Sequence, residues 1–379
     1  MKEKYNSFRA KLITEYSDYE KLSEEYNIPI TEIIQIDLNR TGVYLPNNEV
    51  RVDFRVRFKG IIDGDYETWY AVPVRSKEDT CFSVTKGKMY FKDKEIGKCT
   101  SEIMLDTCES SYQRGPHLLN LNSRSRSNCG GCKACVHNYK NFYDNTVIKD
   151  QKQLITEKDI EEFFDAKKID VSSLVQIAVV TGLFHGELNV INHMKLIDKV
   201  AKKRNFKGEL MYFGCEVNSD EALDELAKIK NFKLIYAIDN FTKRADLLSR
   251  TKGLITLETA KDTLLRAKKR GIKTTISYIS GIDDLDDTIK GFEFLKESFT
   301  DMPIVNVYQI QNESQAKIMD EEAEDIEYYL KSRQALEKVF SDCKFTPKRW
   351  SNYRPLWYKY YQGEELKDNS FGQLEELSD

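Results

Sequence analysis

The sequence predicts an α/β protein, a partial (β/α)6 TIM-like barrel preceded by an N-terminal α+β appendage. Two observations predict this class. Six short apolar segments alternate with longer amphipathic segments from residue 117 to 340, and repeated βα units joined by short loops form a parallel sheet with helical crossovers. Polar and glycine residues follow each apolar segment, where barrels bind ligands at the carboxyl ends of their strands. This position favours a barrel over an open doubly wound sheet.

The first 100 residues lack this alternation. Residues 6–26 carry apolar and aromatic side chains at spacings of three and four, which predicts one or two amphipathic helices. From 28 to 98 the pattern is typical of antiparallel strands, with period-two alternation at 50–58 and further strands at 68–74, 81–84 and 88–92. Arg51, Arg55 and Arg57 are expected on a solvated face.

The barrel elements follow in order along the chain. Strands are predicted at 117–121, 175–180, 209–213, 233–237, 274–279 and 304–308. Helices are predicted at 157–166, 189–204, from 219, at 256–270, at 287–298 and at 320–340. Thr156 and Thr256 are suitable N-caps, and Gly271 is suited to ending a helix.

Composition and length set the broad class. The chain has 379 residues, 40% hydrophobic and 32% charged, with a net charge of −4. These values are typical of a soluble globular protein and indicate no nucleic acid partner. No apolar run could span a membrane and no secretory signal is recognisable, so a cytoplasmic location is expected. The predicted regions are an accessory region (1–100), the barrel (101–340) and a C-terminal extension (341–379).

The C-terminal extension contains an aromatic-rich stretch at 350–361. It is expected either to pack over the last helix or to close the barrel mouth as a substrate lid or partner surface. Residues 362–379 are polar and acidic and are expected to be disordered.

Cys129, Cys132 and Cys135 form a C-x2-C-x2-C run directly after the first barrel strand. Thiolates are the ligands of iron-sulfur clusters and of zinc, and one short loop can wrap a single metal centre. Three cysteines leave one position open, which suits a 4Fe-4S cluster with a free iron, whereas structural zinc normally has four protein ligands. His137 could be that fourth ligand. The other five cysteines are isolated and are expected to be small buried residues.

This loop, placed after the first strand of a six-fold βα repeat, resembles that of the radical S-adenosylmethionine superfamily over residues 115–340. The usual loop of that family is C-x3-C-x2-C with an aromatic residue before the third cysteine. Here the first gap is one residue shorter and Ala134 replaces the aromatic. The resemblance implies a 4Fe-4S cluster and S-adenosyl-L-methionine as cofactors. It also implies an enzyme that generates a 5'-deoxyadenosyl radical and abstracts hydrogen from a substrate.

The resemblance further implies an electron donor such as flavodoxin or ferredoxin. The default substrate is a small molecule or is derived from an amino acid. No histidine is assigned as a general base, and the catalytic residues stay unassigned.

The resemblance also implies residues that hold S-adenosylmethionine. Gly186 and Glu187 match a Gly-Gly-Glu-like turn that binds its amino group, with Thr181 and Gly182 lining the turn. A first-turn acid that complements a helix dipole is the other interpretation of Glu187.

Two later strand ends supply the remaining candidates. Arg244 could pair with the cofactor carboxylate, or could be a surface residue. Ser277 or Asp283 could bind ribose hydroxyls, although Asp283 could equally cap a helix.

Two other functions stay open at this point. One is a zinc-binding α/β scaffold that uses Cys129, Cys132, Cys135 and His137. The other is an iron-sulfur electron carrier or sensor attached to an α/β domain. Metal identity separates zinc from a cluster, and cleavage of S-adenosylmethionine separates an enzyme from a carrier.

Overall fold

The structure is a computed structural model that describes residues 10–46, 50–59, 67–106, 111–115, 117–123, 131–135, 153–348 and 353–366. In chain order its N-terminal elements are α1 (Tyr16–Tyr26), α2 (Ile30–Thr41), β1 (Val43–Tyr44), β2 (Arg51–Phe58), β3 (Glu67–Arg75), β4 (Phe82–Thr85), β5 (Lys88–Phe91), β6 (Lys94–Cys99) and β7 (Met104–Leu105).

Strands β1 to β6 form a closed ring of pairings, here called the N-terminal ring. The order is β3-β1-β4-β5-β6-β2, and β2 pairs again with β3. The predicted antiparallel pairing is confirmed for β2, β3, β4, β5 and β6, whereas β1 runs parallel to both of its neighbours. The period-two pattern of β2 places Val52, Phe54 and Val56 in the buried core.

Helix α2 was not predicted, because its stretch was assigned to the strand region. Its residues from Thr31 to Thr41 are all buried. Apolar and polar residues alternate over 34–39, a strand-like pattern, because Gln35, Asp37 and Asn39 are buried and hydrogen-bonded inside the protein. The prediction of strands from residue 28 was wrong at this point.

The second sheet begins with β8 (Tyr112–Gly115) and β9 (Leu118–Leu121). The strands and helices that follow are α3 (Glu157–Ala166), β10 (Gln176–Val180), α4 (Glu187–Lys203), β11 (Glu209–Gly214), α5 (Asp220–Leu226), β12 (Phe232–Asp239), α6 (Arg244–Leu247), α7 (Arg250–Gly253), α8 (Leu257–Lys269), β13 (Lys273–Ser280), α9 (Leu285–Leu295), β14 (Ile304–Val307), α10 (Glu313–Ala316) and α11 (Ile326–Val339). In the described part of the chain, three short 3-10 helices lie at Val171–Ser173, Lys296–Ser298 and Glu322–Glu324.

Strands β9 to β14 are parallel and adjacent in sequence order, and β8 pairs antiparallel at the β9 edge. The predicted alternation of strand and helix around a parallel sheet is confirmed. Thr156 forms a capping box with Asp159, and the Thr256 side chain accepts a hydrogen bond from the Thr259 amide, so both predicted caps are present. The antiparallel β8 was not predicted.

One face of the parallel sheet, here called the inner face, is lined by a small apolar cluster separate from the main core. It contains Ala178, Met211, Ile235 and Ile304. Register places Asn120 beside Ala178, and side chains opposite each other in parallel strands point to the same face. At the amino ends of the strands, the Lys233 ammonium pairs with Asp301 at 2.9 Å, and this end is therefore closed by buried charge.

The N-terminal ring contacts both edges of the parallel sheet through the outward face of β2 and β3. At one edge Trp69 stacks on Tyr112 of β8, with centroids 5.2 Å apart. Beyond the other edge the Arg51 guanidinium donates to the Gln309 side chain at 2.7 Å, just after β14. Arg51 is 1% exposed. The prediction of a solvated face is wrong for this arginine, because a second layer covers it.

The aromatic C-terminal stretch packs into the protein, as one of the two interpretations predicted. Leu356, Trp357 and Tyr358 are buried. The short strands β15 (Tyr360–Tyr361) and β16 (Glu364–Glu365) form a hairpin, so the expected disorder does not begin at 362. Residues 367–379 lie outside the described part of the chain.

No helix in the described residues combines the length and the apolar composition needed to cross a membrane. The predicted divisions at residues 100 and 340 stay predictions.

Candidate cofactor site

The described part of the cysteine loop, Gly131 to Cys135, lies against segments that follow β12 and β14. The Lys133 amide donates to the Leu247 carbonyl at 2.7 Å, and the Gln315 side chain donates to the Ala134 carbonyl at 3.2 Å. Gly131 has φ +74°, a conformation that glycine adopts without strain. These contacts hold the loop at the carboxyl ends of the parallel strands, where such sheets bind ligands. Cys129 and His137 lie outside the described residues.

The sulfur of Cys132 is in a polar environment. The Ser249 amide donates to its Sγ at 3.2 Å, and the Cys135 amide donates to the Cys132 carbonyl at 3.0 Å. Cys132 and Cys135 are both free thiols and both are partly exposed. Partly exposed thiols that receive amide hydrogen bonds are suited to binding a soft metal centre, because such bonds stabilise negative charge on sulfur.

A lysine brings positive charge to the same place. Lys252 forms an ion pair with Asp239 at the end of β12. Burial lowers the pKa of the Lys252 ammonium, but the charges of Asp239, Cys132 and Cys215 raise it by more, so the net shift is upward. The Lys252 ammonium is thus close enough to the Cys132 sulfur for charges on the two groups to interact. The donors and charges of the described residues therefore fit an anionic iron-sulfur cluster.

Glu187 lies in the first turn of α4, where it contacts the start of α5. Its carboxylate accepts hydrogen bonds from the amides of Asn218 and Ser219, the latter at 2.6 Å. Burial raises the pKa of Glu187 and these hydrogen bonds lower it, with a net shift downward. Among the described residues the contacts of Glu187 are structural, and its binding of a cofactor stays a prediction.

Arg244 is buried and donates to main-chain carbonyls. It contacts the carbonyls of Asn240 at 3.2 Å, Ile255 at 3.1 Å and Lys252 at 2.9 Å, and also that of Ile238. Burial lowers the pKa of its guanidinium. One interpretation predicted that Arg244 is a surface residue. Its burial shows that this interpretation was wrong. Its contacts stabilise the segment that receives the cysteine loop, and pairing with a cofactor carboxylate stays a prediction.

Asp283 is fully buried and binds the loop after β12. Its carboxylate accepts from the amides of Phe241 at 2.7 Å and Thr242 at 3.1 Å, and from the hydroxyls of Thr242 and Tyr278. The N-cap of α9 is Asp284 instead, whose side chain accepts from the Asp287 amide. Asp283 thus positions neighbouring backbone, and its contact with a ribose stays a prediction.

Three of the other predicted cofactor residues follow the carboxyl end of β10, and the fourth lies within β13. Thr181 and Gly182 follow β10, and Thr181 is partly exposed while Gly182 is buried. Gly186, with φ +91°, is the N-cap of α4. Ser277 lies within β13 and is 2% exposed. Their roles stay predictions.

Two buried carboxamides at strand ends were not predicted as site residues. Asn240 follows β12 and Gln311 follows β14, and neither side-chain oxygen nor nitrogen of either residue has a hydrogen-bond partner among the described residues. Buried amides are normally paired, so these groups are suited to a bound polar ligand. The only sequence signal was their position after a strand.

Glu216 and Gln309, which also follow strands, are used within the fold. The Glu216 carboxylate accepts from the amides of Cys215 at 2.8 Å and Phe184 at 3.1 Å, and Gln309 binds Arg51. Burial raises the pKa of the Cys215 thiol to about 12. Cys215 is thus a buried thiol, as predicted for the isolated cysteines, whereas Cys81, Cys99 and Cys343 are only partly buried, so the prediction was wrong for these three; Cys108 lies outside the described residues.

No protein-family model and no curated protein matches the chain. Among solved structures, coproporphyrinogen III oxidase (HemN) from Escherichia coli, a radical SAM enzyme, is 17% identical and matches 49% of this chain and 46% of its own, with a TM-score of 0.35. SuiB from Streptococcus suis bound to S-adenosylmethionine is 13% identical over 61% of this chain and 50% of its own, with a TM-score of 0.41.

The FeFe-hydrogenase maturase HydG from Carboxydothermus hydrogenoformans is 16% identical over 69% of this chain and 63% of its own, with a TM-score of 0.42. The chain spans about half the length of HemN and of SuiB. Likenesses at these TM-scores do not by themselves identify a function. Radical SAM enzymes are thus among the proteins to which this chain is similar.

Proposed function

We propose that this chain is a radical S-adenosylmethionine enzyme that binds a 4Fe-4S cluster through Cys129, Cys132 and Cys135. The observation that carries the proposal is the position of Cys132 and Cys135. Both lie at the carboxyl ends of six parallel strands, and the Cys132 sulfur accepts the Ser249 amide. The partial (β/α)6 barrel form of this sheet is part of the proposal.

When bound, the cluster and S-adenosylmethionine supply one-electron cleavage of the cofactor and removal of a hydrogen atom from the substrate. The chain's own residues orient these groups. Ser249 and Lys252 stabilise negative charge at the thiolates. Asn240 and Gln311 offer unpaired hydrogen-bonding groups at two strand ends, and we assign them to contacts with S-adenosylmethionine or substrate.

The remaining predicted cofactor residues fall into two groups, according to whether their side chains bind main-chain groups of the protein. Thr181, Gly182, Gly186 and Ser277 are proposed to line the S-adenosylmethionine site directly. Glu187, Arg244 and Asp283 are proposed to hold the loops that form it, because their side chains bind main-chain groups.

The substrate is proposed to be a small molecule or derived from an amino acid. The electron donor is proposed to be a flavodoxin or ferredoxin, and the location cytoplasmic. The accessory region (1–100) is proposed to cover the open side of the parallel sheet, and its contacts through Arg51 and Trp69 support this role.

The proposal is tested by anaerobic purification followed by iron, sulfide and zinc analysis, and then by reaction with dithionite and S-adenosylmethionine. We expect about four irons per chain and formation of 5'-deoxyadenosine. Cys132→Ser should lose both. Cys343→Ser is the matched control, because Cys343 is a partly exposed free thiol outside the loop, and it should retain both.

Each other outcome has a distinct meaning. One zinc per chain and no nucleoside product would overturn the proposal in favour of a zinc-binding scaffold. A cluster that forms without any cleavage of S-adenosylmethionine would indicate an electron carrier or sensor. Loss of iron in both cysteine variants would show that the effect is not specific to the loop.

A further inference from the structure

A group of aromatic rings and carboxylates lies where the N-terminal ring meets the parallel sheet. Trp69 stacks on Tyr112, with centroids 5.2 Å apart, and Tyr353 packs edge-on against both rings, at 5.2 Å from Trp69 and 6.3 Å from Tyr112. All three rings are partly exposed. Stacked rings present negative faces that attract cations.

Asp53 lies beside these rings, and its carboxylate receives one long side-chain hydrogen bond from the described residues. It is partly exposed, and the indole nitrogen of Trp69 donates to its Oδ1 at a long 3.4 Å. Burial and the nearby Asp106 raise the pKa of Asp53 to about 6, although Trp69, Arg51 and Arg55 lower it. A carboxylate with so little hydrogen bonding in a desolvated place gains free energy from any added donor.

The neighbouring Arg51 and Asp106 are paired with each other. Arg51 donates to Asp106 at 3.0 Å, to Gln309 at 2.7 Å and to the Ala71 carbonyl at 3.1 Å. The Tyr353 hydroxyl donates to Asp106 at 2.6 Å. Arg55 contacts the Gln113 carbonyl at 3.5 Å. Asp53 is thus the carboxylate of this group that has no short hydrogen bond among the described residues.

A second group with an unpaired acceptor contacts Tyr112, one of the three rings. Asn120 is 6% exposed and lies on the inner face of β9, and its amide nitrogen donates to the Tyr112 hydroxyl at 3.0 Å. Its Oδ1 has no partner among the described residues. A buried carbonyl oxygen without a donor is a place where a ligand donor binds.

We propose that Asp53, Asn120 and the rings of Trp69, Tyr112 and Tyr353 form a subsite for the protonated amino group of a substrate. The unsatisfied groups are acceptors, and an ammonium offers three donors together with the charge that aromatic faces and a carboxylate favour. The inference that the substrate is a primary amine rests on the proposed function, because only an enzyme has a substrate. The binding itself requires no cluster.

The experiment is a titration of the full-length protein, as purified, with butylammonium chloride at constant ionic strength, followed by tryptophan fluorescence. Butanol and sodium butyrate are the comparison probes, and the Trp69→Phe variant identifies the part of the signal that comes from Trp69. We expect a saturable change with butylammonium, at least about tenfold tighter binding than with butanol, and none with butyrate.

Asp53→Asn should weaken butylammonium binding by about tenfold or more, because a neutral amide replaces the charged acceptor. The matched control is Asp93→Asn, which makes the same change at an exposed turn of the same ring. Urea unfolding of each variant shows that the fold is retained. Equal binding of butylammonium and butanol, equal binding in both variants, or no saturable change would overturn the subsite.

The two proposals fail separately. Iron and 5'-deoxyadenosine without butylammonium binding would refute the subsite alone. Butylammonium binding that depends on Asp53, in a protein without iron, would refute the radical enzyme and leave the amine site in place.

Discussion

The fold depends on a buried ion pair between α2 and α11, and we predict that Glu32→Gln destabilises the protein by about 3–5 kcal/mol. Glu32 is 0% exposed and accepts from Arg333 at 2.5 Å and from the amides of Tyr358 at 2.9 Å and Lys359 at 2.6 Å. Glutamine places an NH2 donor among these donors and leaves the Arg333 charge without its closest partner. Arg333 keeps a second carboxylate partner, Glu337 at 3.1 Å, but its Nη1 and two main-chain amides lose their charged acceptor in a buried place, which explains the size of the expected loss.

Urea unfolding followed by circular dichroism measures the effect. Glu313→Gln is the matched control, since Glu313 and its partner Lys317 are 71% and 72% exposed. This exposed pair should contribute less than about 1 kcal/mol. If the urea midpoints of Glu32→Gln and Glu313→Gln were equal, burial would not make the Glu32 pair more stabilising than an exposed pair, and the reasoning would be refuted.

Two further predictions concern smaller effects. Thr156→Ala should lower the free energy of unfolding by about 1 kcal/mol, because it removes the capping box with Asp159; an unchanged urea midpoint would contradict it. Asp53 has a folded pKa of about 6, above its usual value of 3.8, so between pH 4 and 6 the folded state holds more protons than the unfolded state and stability falls as pH rises. We expect Asp53→Asn to remove about 2 kcal/mol of this decrease between pH 4.5 and 7, as measured by urea unfolding at these two pH values; an identical pH dependence in both proteins would exclude this linkage.

Much of the parallel sheet could be predicted from the sequence, because its signals are local. Apolar runs such as 175–180 and caps such as Thr256 depend on neighbouring residues alone. Helix α2 gave a misleading signal, because its buried polar residues alternate with apolar ones over 34–39 and find their partners in distant segments. The burial of Arg51 was equally hidden, because it depends on Gln309, which lies 258 residues later in the chain.

The candidate site could be predicted in position but only partly in detail. The spacing of Cys132 and Cys135 and the rule that ligands bind at strand ends gave the place. Glu187 and Asp283 have the residue types that a cofactor would need, but they bind backbone amides of other loops. Sequence shows which polar group follows a strand, whereas the partner of that group depends on distant segments brought together by folding.

The pairing of Glu32 with Arg333 also constrains how the chain is made. These residues are 301 positions apart, and a ribosome adds about 5–20 residues per second. About 15–60 s therefore separate the synthesis of Glu32 from that of Arg333. During that interval the Glu32 carboxylate of α2 lacks the partner that α11 provides. The packing around α2 therefore cannot be completed until α11 has been synthesised.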